Sequence, residues 1–210
     1  MLRSAARRRA RLRRFAREHA LRYVAEPTPR RRAADIFGYG RDRTHLDWLG
    51  VPGTTGFEVG GYRCVVESGF DGVETHRWTY GVFTLRRCYP RTTVRPPRYP
   101  IHPPRRLRHA TPLTPPHAPR YRLLSARPDE PHLRALLCPE LFSALASLSR
   151  RAALEVVDRE LFVSVPRPLD LTSPRLWRSL HRLRDVLAPH LIPPPRVTEP
   201  PRGLAPEDHA

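Results

Sequence analysis

Proline divides this chain more sharply than any other residue type. Ten of its 26 prolines fall within residues 90–119, a stretch that contains no Asp or Glu. Proline has no backbone N–H and a fixed φ, so such a stretch cannot form a helix or a central strand. We therefore predict a proline-rich loop at about residues 90–119, with foldable sequence on both sides of it.

Charge is distributed as unevenly as proline. All 38 basic residues are Arg, and the chain has no Lys, Asn or Gln, which is typical of a GC-rich, bacterial coding bias and makes Arg content alone weak support for any function. Residues 1–32 hold 12 Arg and two acids, and residues 75–128 hold 12 Arg and no acid. The formal net charge of +18 belongs to these two segments. The 210 residues are enough for one domain with appendages.

The N-terminal segment has the pattern of an amphipathic helix. Over residues 11–24, apolar side chains recur at helical spacing while Arg and Glu occupy the other side. The apolar stripe consists of Leu12, Phe15, Ala16, Ala20 and Tyr23. Pro27 and Pro29 end this helix. Residues 1–32 are thus predicted to form a basic amphipathic helix and a linker.

The middle of the chain has the features of a β-sheet. Ten of the eleven glycines lie between Gly38 and Gly81, and residues 61–67 and 75–86 are rich in β-branched and aromatic side chains. These two segments predict a hairpin that turns near Phe70 and Asp71. Residues 121–126 predict a further strand, and residues 152–157 and 161–165 predict a second hairpin that turns at Asp158 and Arg159.

Helix signals alternate with these strands in the second half. Asp129 can cap a short helix, Pro139 suits the first turn of the next, and Ser173 with Pro174 predicts the start of a last helix. We expect one α+β domain at residues 33–192, with a mostly antiparallel sheet built from two hairpins and a further strand. Residues 193–210 should form a disordered tail.

No pattern predicts catalysis, a cofactor or a metal site. Cys64, Cys88 and Cys138 form neither an even set nor a C-x-x-C pair, so we expect reduced thiols. The glycine-rich G-Y-G-R-D-R at residues 38–43 lacks the third glycine of a dinucleotide fingerprint, and a chain without Lys has no P-loop. No G-x-S-x-G sequence is present. We therefore expect no bound cofactor, and an enzyme is our third hypothesis, favoured only if Glu74, His76 and another acid converge in a deep pocket.

The patterns that come closest to a metal or general-base site are two pairs of a histidine and a carboxylate. Glu74 with His76, and His45 with Asp47, lie two apart and could each share one face of a strand. Such pairs are common, and we interpret both as surface or cross-strand contacts. The histidines of the proline-rich stretch have no metal-ligand spacing; they are His102, His109 and His117.

Four segments resemble an uncharacterised soluble domain of actinobacterial proteins. They are R-F-A-R-E-H-A-L-R-Y-V at residues 14–24, F-E-V-G-G-Y-R-C-V-V-E-S-G-F at 57–70, R-Y-R-L-L-S-A-R-P with L-L-C-P-E-L-F at 120–142, and A-L-E-V-V-D-R-E-L-F-V-S-V at 153–165. That domain usually forms the cytoplasmic part of membrane-anchored proteins. The chain has no apolar stretch long enough to span a bilayer and no apolar core of a signal peptide. The resemblance implies a cytoplasmic location, here without the membrane helices.

The basic helix is the candidate functional element. The charges predicted to contact an anionic surface are Arg7, Arg8, Arg9, Arg11, Arg13, Arg14 and Arg17. The helix could lie on a membrane, bind nucleic acid, or pack its apolar stripe on the domain while the Arg residues face water. Our hypothesis is a non-catalytic module that binds a protein partner near the inner membrane surface, with an anionic membrane as a second contact. The alternative is a nucleic-acid-associated protein that uses segments 1–32 and 75–128.

Overall fold

Six strands form one antiparallel sheet in the computed structural model, which describes residues 2–27, 33–51, 57–67, 72–101, 107, 110 and 112–193. The strands are β1 (Arg22–Val24), β2 (Arg41–Gly50), β3 (Phe57–Glu67), β4 (Val73–Arg95), β5 (Arg122–Ser125) and β6 (Ala153–Val165). The helices are α1 (Leu2–Glu18), α2 (Asp35–Gly38), α3 (Pro131–Leu136), α4 (Pro139–Leu148) and α5 (Pro174–Leu187), and α5 is followed by a single 3-10 turn, Ala188–His190.

The 23-residue strand β4 organises the sheet. One edge of β4 pairs first with β3, along residues 73–83, and further on with β5, along residues 92–95. An isolated bridge from Leu85 to Leu191 lies between these two pairings. The other edge pairs with β6, while β1 and β2 extend the sheet beyond β3. β4 therefore has strand partners on both sides at residues 79–83 and 92–94.

Both faces of the sheet are covered by apolar packing. The face that we call the helical face carries α1, α3, α4 and α5, and its core includes Leu12, Leu133, Leu141 and Leu183. The opposite face carries α2 and the segment around Ile101, packed on an aromatic core; the largest members of that core are Tyr62, Trp78, Tyr80 and Phe162. The predicted α+β class with a mostly antiparallel sheet is confirmed.

The first predicted hairpin is present, and the second is not. β3 and β4 pair in continuous register from Phe57 with Phe83 to Glu67 with Val73, although the turn at residues 68–71 lies outside the described residues. Residues 153–165, however, form the single strand β6. Asp158 has a φ of +53° there, next to a break in the register with β4. The polar D-R-E segment thus marks a β-bulge and not a turn.

The proline-rich loop begins later than predicted, because β4 continues through Pro90 to Arg95. Tyr89 pairs with Asp158 and Thr92 with Val156, so β4 has one more residue than β6 in this interval. Pro90 lies within that irregularity. A bulge is one of the few places in a sheet where the missing N–H of proline removes no ladder hydrogen bond.

The N-terminal helix is also shorter at its C-terminal end than predicted. α1 ends at Glu18, and Tyr23 belongs to β1. The Leu21 N–H donates to the Ala16 carbonyl over 2.8 Å, and the Ala20 N–H donates to the Arg17 carbonyl over 3.4 Å. With Ala20 at a φ of +52°, this is a Schellman motif in which Ala takes the position usual for Gly.

Later elements follow their sequence signals closely. β5 and the three helices α3, α4 and α5 lie where they were predicted, and Pro is at the first turn of each of these helices. The cap of α3 is Glu130 and not Asp129: its carboxylate accepts from the Leu133 N–H over 2.5 Å. Apart from Pro193, the predicted disordered tail lies outside the described residues.

Candidate functional site

α1 packs on the sheet with one face and presents an arginine-rich face to solvent. Leu12 and Ala16 are buried in the core of the helical face. At 100° per residue, the side of the helix farthest from them carries small and basic residues and one acid, Glu18. This outer face of α1 consists of Ala6, Arg7, Ala10, Arg13, Arg14, Arg17 and Glu18, all of them exposed.

The flanks of α1 are fixed to the domain by ion pairs. The guanidinium groups of Arg8 and Arg11 contact Asp47 over 2.6 Å and Asp170 over 2.9 Å, respectively. Arg9 pairs with Glu26. Three of the seven Arg residues predicted to contact an anionic surface thus also hold the helix in place.

The outer face keeps an excess of positive charge. Arg14 pairs with Glu18, one turn along the helix, over 2.7 Å. Within the described parts of the chain, no carboxylate pairs with Arg7, Arg13 or Arg17. These three side chains are therefore free to meet an anionic surface.

Tyr23, predicted on the apolar stripe of the helix, instead helps to anchor strand β2. Its hydroxyl donates to the Asp47 carboxylate over 2.6 Å. Burial, together with this bond to a carboxylate, raises the pKa of Tyr23. Asp47 has a φ of +48° at a break in the register between β2 and β3, and its other carboxylate oxygen accepts from Arg8. One aspartate thus links α1, β1 and β2.

A cleft of about 540 Å³ lies beside α1 on the helical face. Helix α1 forms one wall, and the segment 168–171 forms another. The floor is made by β2, β3 and β4 and includes Leu46, Gly61, Arg63, Arg77 and Thr79. The cleft is within the size range of small-molecule sites.

The wall at 168–171 is fixed to the floor by hydrogen bonds. Buried Thr79 donates through its hydroxyl to the Arg167 carbonyl over 3.1 Å and accepts from the Leu169 N–H over 2.8 Å. Asp170 accepts from both the N–H and the hydroxyl of Thr172. Burial alone would raise the pKa of Asp170. The hydrogen bonds from Thr172 and the charge of Arg11 outweigh this effect and hold the pKa below its usual range. Asp170 is therefore a charged part of the wall that accepts all three of these contacts through Oδ1.

Two arginines lie side by side on the floor of the cleft. Arg63 of β3 and Arg77 of β4 are direct partners across the two strands, and both are exposed. Arg63 contacts the Thr44 hydroxyl over 3.4 Å. Among the described residues, neither guanidinium pairs with a carboxylate. Like charges that lie directly opposite each other on adjacent strands destabilise a sheet, so the pairing of Arg63 with Arg77 does not itself stabilise the fold.

The histidine pairs do not form a reactive site. Glu74 and His76 make an ion pair of 3.2 Å on an exposed part of the hairpin. His45 and Asp47 are separated by the bulge: His45 contacts the Tyr80 hydroxyl at 3.3 Å, in the core of the opposite face. His117 lies against the ring of Phe142, and His102 and His109 are outside the described residues.

Sequence reasoning missed a buried cluster of four charges on the opposite face. Arg91 bridges Asp35 and Glu155, with both contacts at 2.7 Å, and Arg95 also contacts Asp35. Burial and the neighbouring Asp35 raise the pKa of Glu155 to about 7. The signal was present in the sequence, because Glu155 interrupts the apolar run A-L-E-V-V at residues 153–157. The cluster fixes α2 to the sheet.

This cluster also divides the second basic segment, residues 75–128. Arg91 and Arg95 are directed into the protein, whereas Arg77 lies in the cleft on the other face of the sheet. Arg86 is exposed at the irregular part of β4, where its carbonyl accepts from Arg159. The described arginines of this basic segment therefore do not form one continuous surface.

The described part of the chain contains no group of three or more potential metal ligands. Its three cysteines are free thiols. Burial raises the pKa of Cys64 and of Cys138, which disfavours the reactive thiolate. Among the helices of the described residues, none combines the length and apolar character needed to cross a bilayer.

Comparison with known proteins shows that the fold of this chain is similar to that of a solved structure. No protein-family model matches the chain, and no curated protein matches it. The chain is similar to the crystal structure of the mycobacterial trehalose monomycolate transport factor A, TtfA, with a TM-score of 0.54 and 13% sequence identity. The alignment covers 89% of this chain and 97% of the TtfA chain. The two chains share a fold over nearly their whole length.

Proposed function

We propose that this chain is a non-catalytic binding module that works through protein–protein contact at the inner surface of a membrane. The outer face of α1 supplies electrostatic attraction to anionic lipid. The apolar stripe of α1 does not insert, because Leu12 and Ala16 are already used in the core. The module is therefore peripheral and binds reversibly.

The observation that carries this proposal is the orientation of α1. Its flanking arginines are occupied by acids of the domain, while Arg7, Arg13 and Arg17 face solvent from one side of the helix. Arginines at an anionic bilayer surface contribute about 1 kcal/mol each. The fold shared with TtfA, which is named as a transport factor, and the resemblance to cytoplasmic domains of membrane-anchored proteins support the same setting.

Vesicle flotation tests the contact. The full chain should float with phosphatidylglycerol-containing vesicles at low salt and less at physiological salt, because exposed charges are screened. The variant R7Q/R13Q/R17Q should bind roughly a hundredfold more weakly, since it loses three contacts of about 1 kcal/mol each.

A control variant with the same net charge tests whether vesicle binding depends on the outer face of α1 or only on the net charge of the chain. R122Q/R150Q/R151Q removes three exposed charges away from α1 and should float like the parent chain. Equal loss in both triple variants would mean that only net charge matters. Capture of the parent chain by competing duplex DNA, with a steep salt dependence, would replace membrane contact with nucleic-acid binding.

A further inference from the structure

We propose that the cleft beside α1 is a binding site for a phosphate ester, with the phosphate group held between Arg63 and Arg77. This site is separate from the outer face of α1 and goes beyond the membrane contact proposed above. Arg8 and Arg11 lie at its rim, so four of its lining side chains are cationic.

The placement of the two floor arginines carries the proposal. Direct partners on adjacent antiparallel strands have Cβ atoms about 4.5–5.5 Å apart. Arg63 and Arg77 are such partners, and both line the cleft. Two guanidinium groups at this spacing repel each other when the cleft is empty and can both bind one anion when it is filled. A phosphate monoester suits them because it carries close to two negative charges and accepts several charge-assisted hydrogen bonds.

A glycine lets β2 and β3 approach each other closely beside the two arginines. Gly61 lies two residues before Arg63 in β3, opposite Leu46 of β2. A Cβ at Gly61 would come within 3.1 Å of the Leu46 carbonyl oxygen, tighter than ordinary packing allows. Gly61 also lines the cleft, together with the two arginines.

The acids of the cleft do not cancel this charge. Asp47 is occupied by Arg8 and by the Tyr23 hydroxyl. Asp170 is occupied by Arg11 and by Thr172. Each aspartate is thus balanced by an arginine of α1, which leaves the charges of Arg63 and Arg77 for a ligand.

The other residues that line the cleft indicate the chemical character of the ligand beyond its phosphate group. Leu12, Leu46, Leu169 and Leu171 give the cleft an apolar part next to its basic floor. A phosphate ester with a small uncharged remainder fits this combination better than an acidic peptide, which would bring several carboxylates into a partly apolar space. The ester could be a soluble compound or the headgroup region of a lipid.

Calorimetric titration of the full chain tests the site, with glycerol 3-phosphate and the water-soluble dihexanoyl phosphatidic acid as probes. We expect saturable binding that R63Q/R77Q weakens by at least about tenfold, because two charge-assisted contacts are lost. R150Q/R151Q removes the same charge elsewhere and should bind like the parent chain. Tighter binding of the phosphatidic acid than of glycerol 3-phosphate identifies a lipid headgroup, and equal binding identifies a soluble ester.

Three results would overturn the proposal: no saturable binding of either probe, equal weakening in both double variants, or cleft-dependent binding of hexaglutamate that exceeds both phosphate probes. Arg63 and Arg77 are exposed, and their replacement relieves repulsion, so R63Q/R77Q should unfold in urea no earlier than the parent chain. R7Q/R13Q/R17Q should keep phosphate binding. The two sets of variants therefore distinguish a failed prediction of phosphate binding in the cleft from a failed prediction of membrane contact by the outer face of α1.

Discussion

At the scale of a single residue, the end of α1 offers a direct test of backbone strain. Ala20 has a φ of +52° at the Schellman position. A left-handed conformation costs a residue with a Cβ about 1–2 kcal/mol, whereas glycine adopts it freely. Glycine also makes the unfolded chain more flexible, which costs about 0.4–1 kcal/mol. We expect Ala20→Gly to raise the free energy of unfolding in urea by about 0.5–1 kcal/mol.

Ala10 provides the matched control within the same helix. It is exposed in the middle of α1, where glycine is about 1 kcal/mol less favourable than alanine. Ala10→Gly should therefore destabilise the protein. The same sign for both substitutions would contradict the strain assigned to Ala20.

His190 gives a residue-scale prediction about pH. Its Nδ1 lies 3.0 Å from the Tyr89 hydroxyl. Burial, followed by the charges of Arg86 and Arg87, lowers the pKa of His190 in the folded protein. Below about pH 6.5 the unfolded chain then binds a proton more readily than the folded one, so the contribution of His190 to stability is lost as the pH falls.

Urea unfolding at pH 7.5 and pH 5.5 measures this effect. His190→Gln should show a smaller loss of stability between these pH values than the parent chain. The control is His181→Gln, because His181 is exposed on α5. His181→Gln should behave like the parent chain, and an unchanged loss in His190→Gln would disprove the assignment.

At the scale of an element, the short helix α2 depends on the buried charge cluster. Asp35 is the carboxylate partner of Arg95 and shares Arg91 with Glu155. Asp35→Ala leaves Arg95 buried without a carboxylate among the described residues. Such a change costs about 3–5 kcal/mol, against less than about 1 kcal/mol for Asp129→Ala in its exposed pair with Arg134. Urea unfolding should separate the two variants, and similar small losses would show that the cluster is not buried as described.

The helices and strands that were predicted correctly from the sequence are determined by residues within them or next to them. Pro174 marks the start of α5, and the β-branched and aromatic segments mark β3 and β4. The errors arose where tertiary structure overrides a local signal. Ala20 ends α1 without the usual glycine, Asp158 makes a bulge within β6, and Pro90 occupies an irregular part of β4. In each case, pairing with distant residues decides the conformation.

The candidate site was predictable only in part for the same reason. The basic character of α1 was readable from residues 7–17, but its occupied flanks depend on Asp47 and Asp170, which are far away in sequence. The pairing of Arg63 with Arg77 requires the register of β3 with β4, and the predicted turn gave that register only approximately. A sequence pattern can thus identify a basic helix but not a basic cleft.

At the scale of the whole molecule, α1 belongs to the domain and is not an appended arm. Leu12 is only 3% exposed, and β1, which follows the helix, pairs with β2 at three positions. Removal of residues 1–26 would take Leu12 and Ala16 out of the core of the helical face and leave Asp47 without Arg8 and Tyr23. Loss of vesicle binding by such a truncated chain would therefore not separate unfolding from loss of charge.

We expect a chain that begins at Pro27 to lose at least about 3 kcal/mol of unfolding free energy, because removal of a single buried Leu side chain already costs about 2–5 kcal/mol. Its urea dependence should also be shallower, since less surface is exposed on unfolding. Leu12→Ala in the full chain should by itself cost at least about 2 kcal/mol, while Arg17→Ala on the outer face should cost less than about 0.5 kcal/mol. Full stability in the truncated chain would contradict the packing of α1 on the sheet, and the apolar stripe would again be available to a membrane.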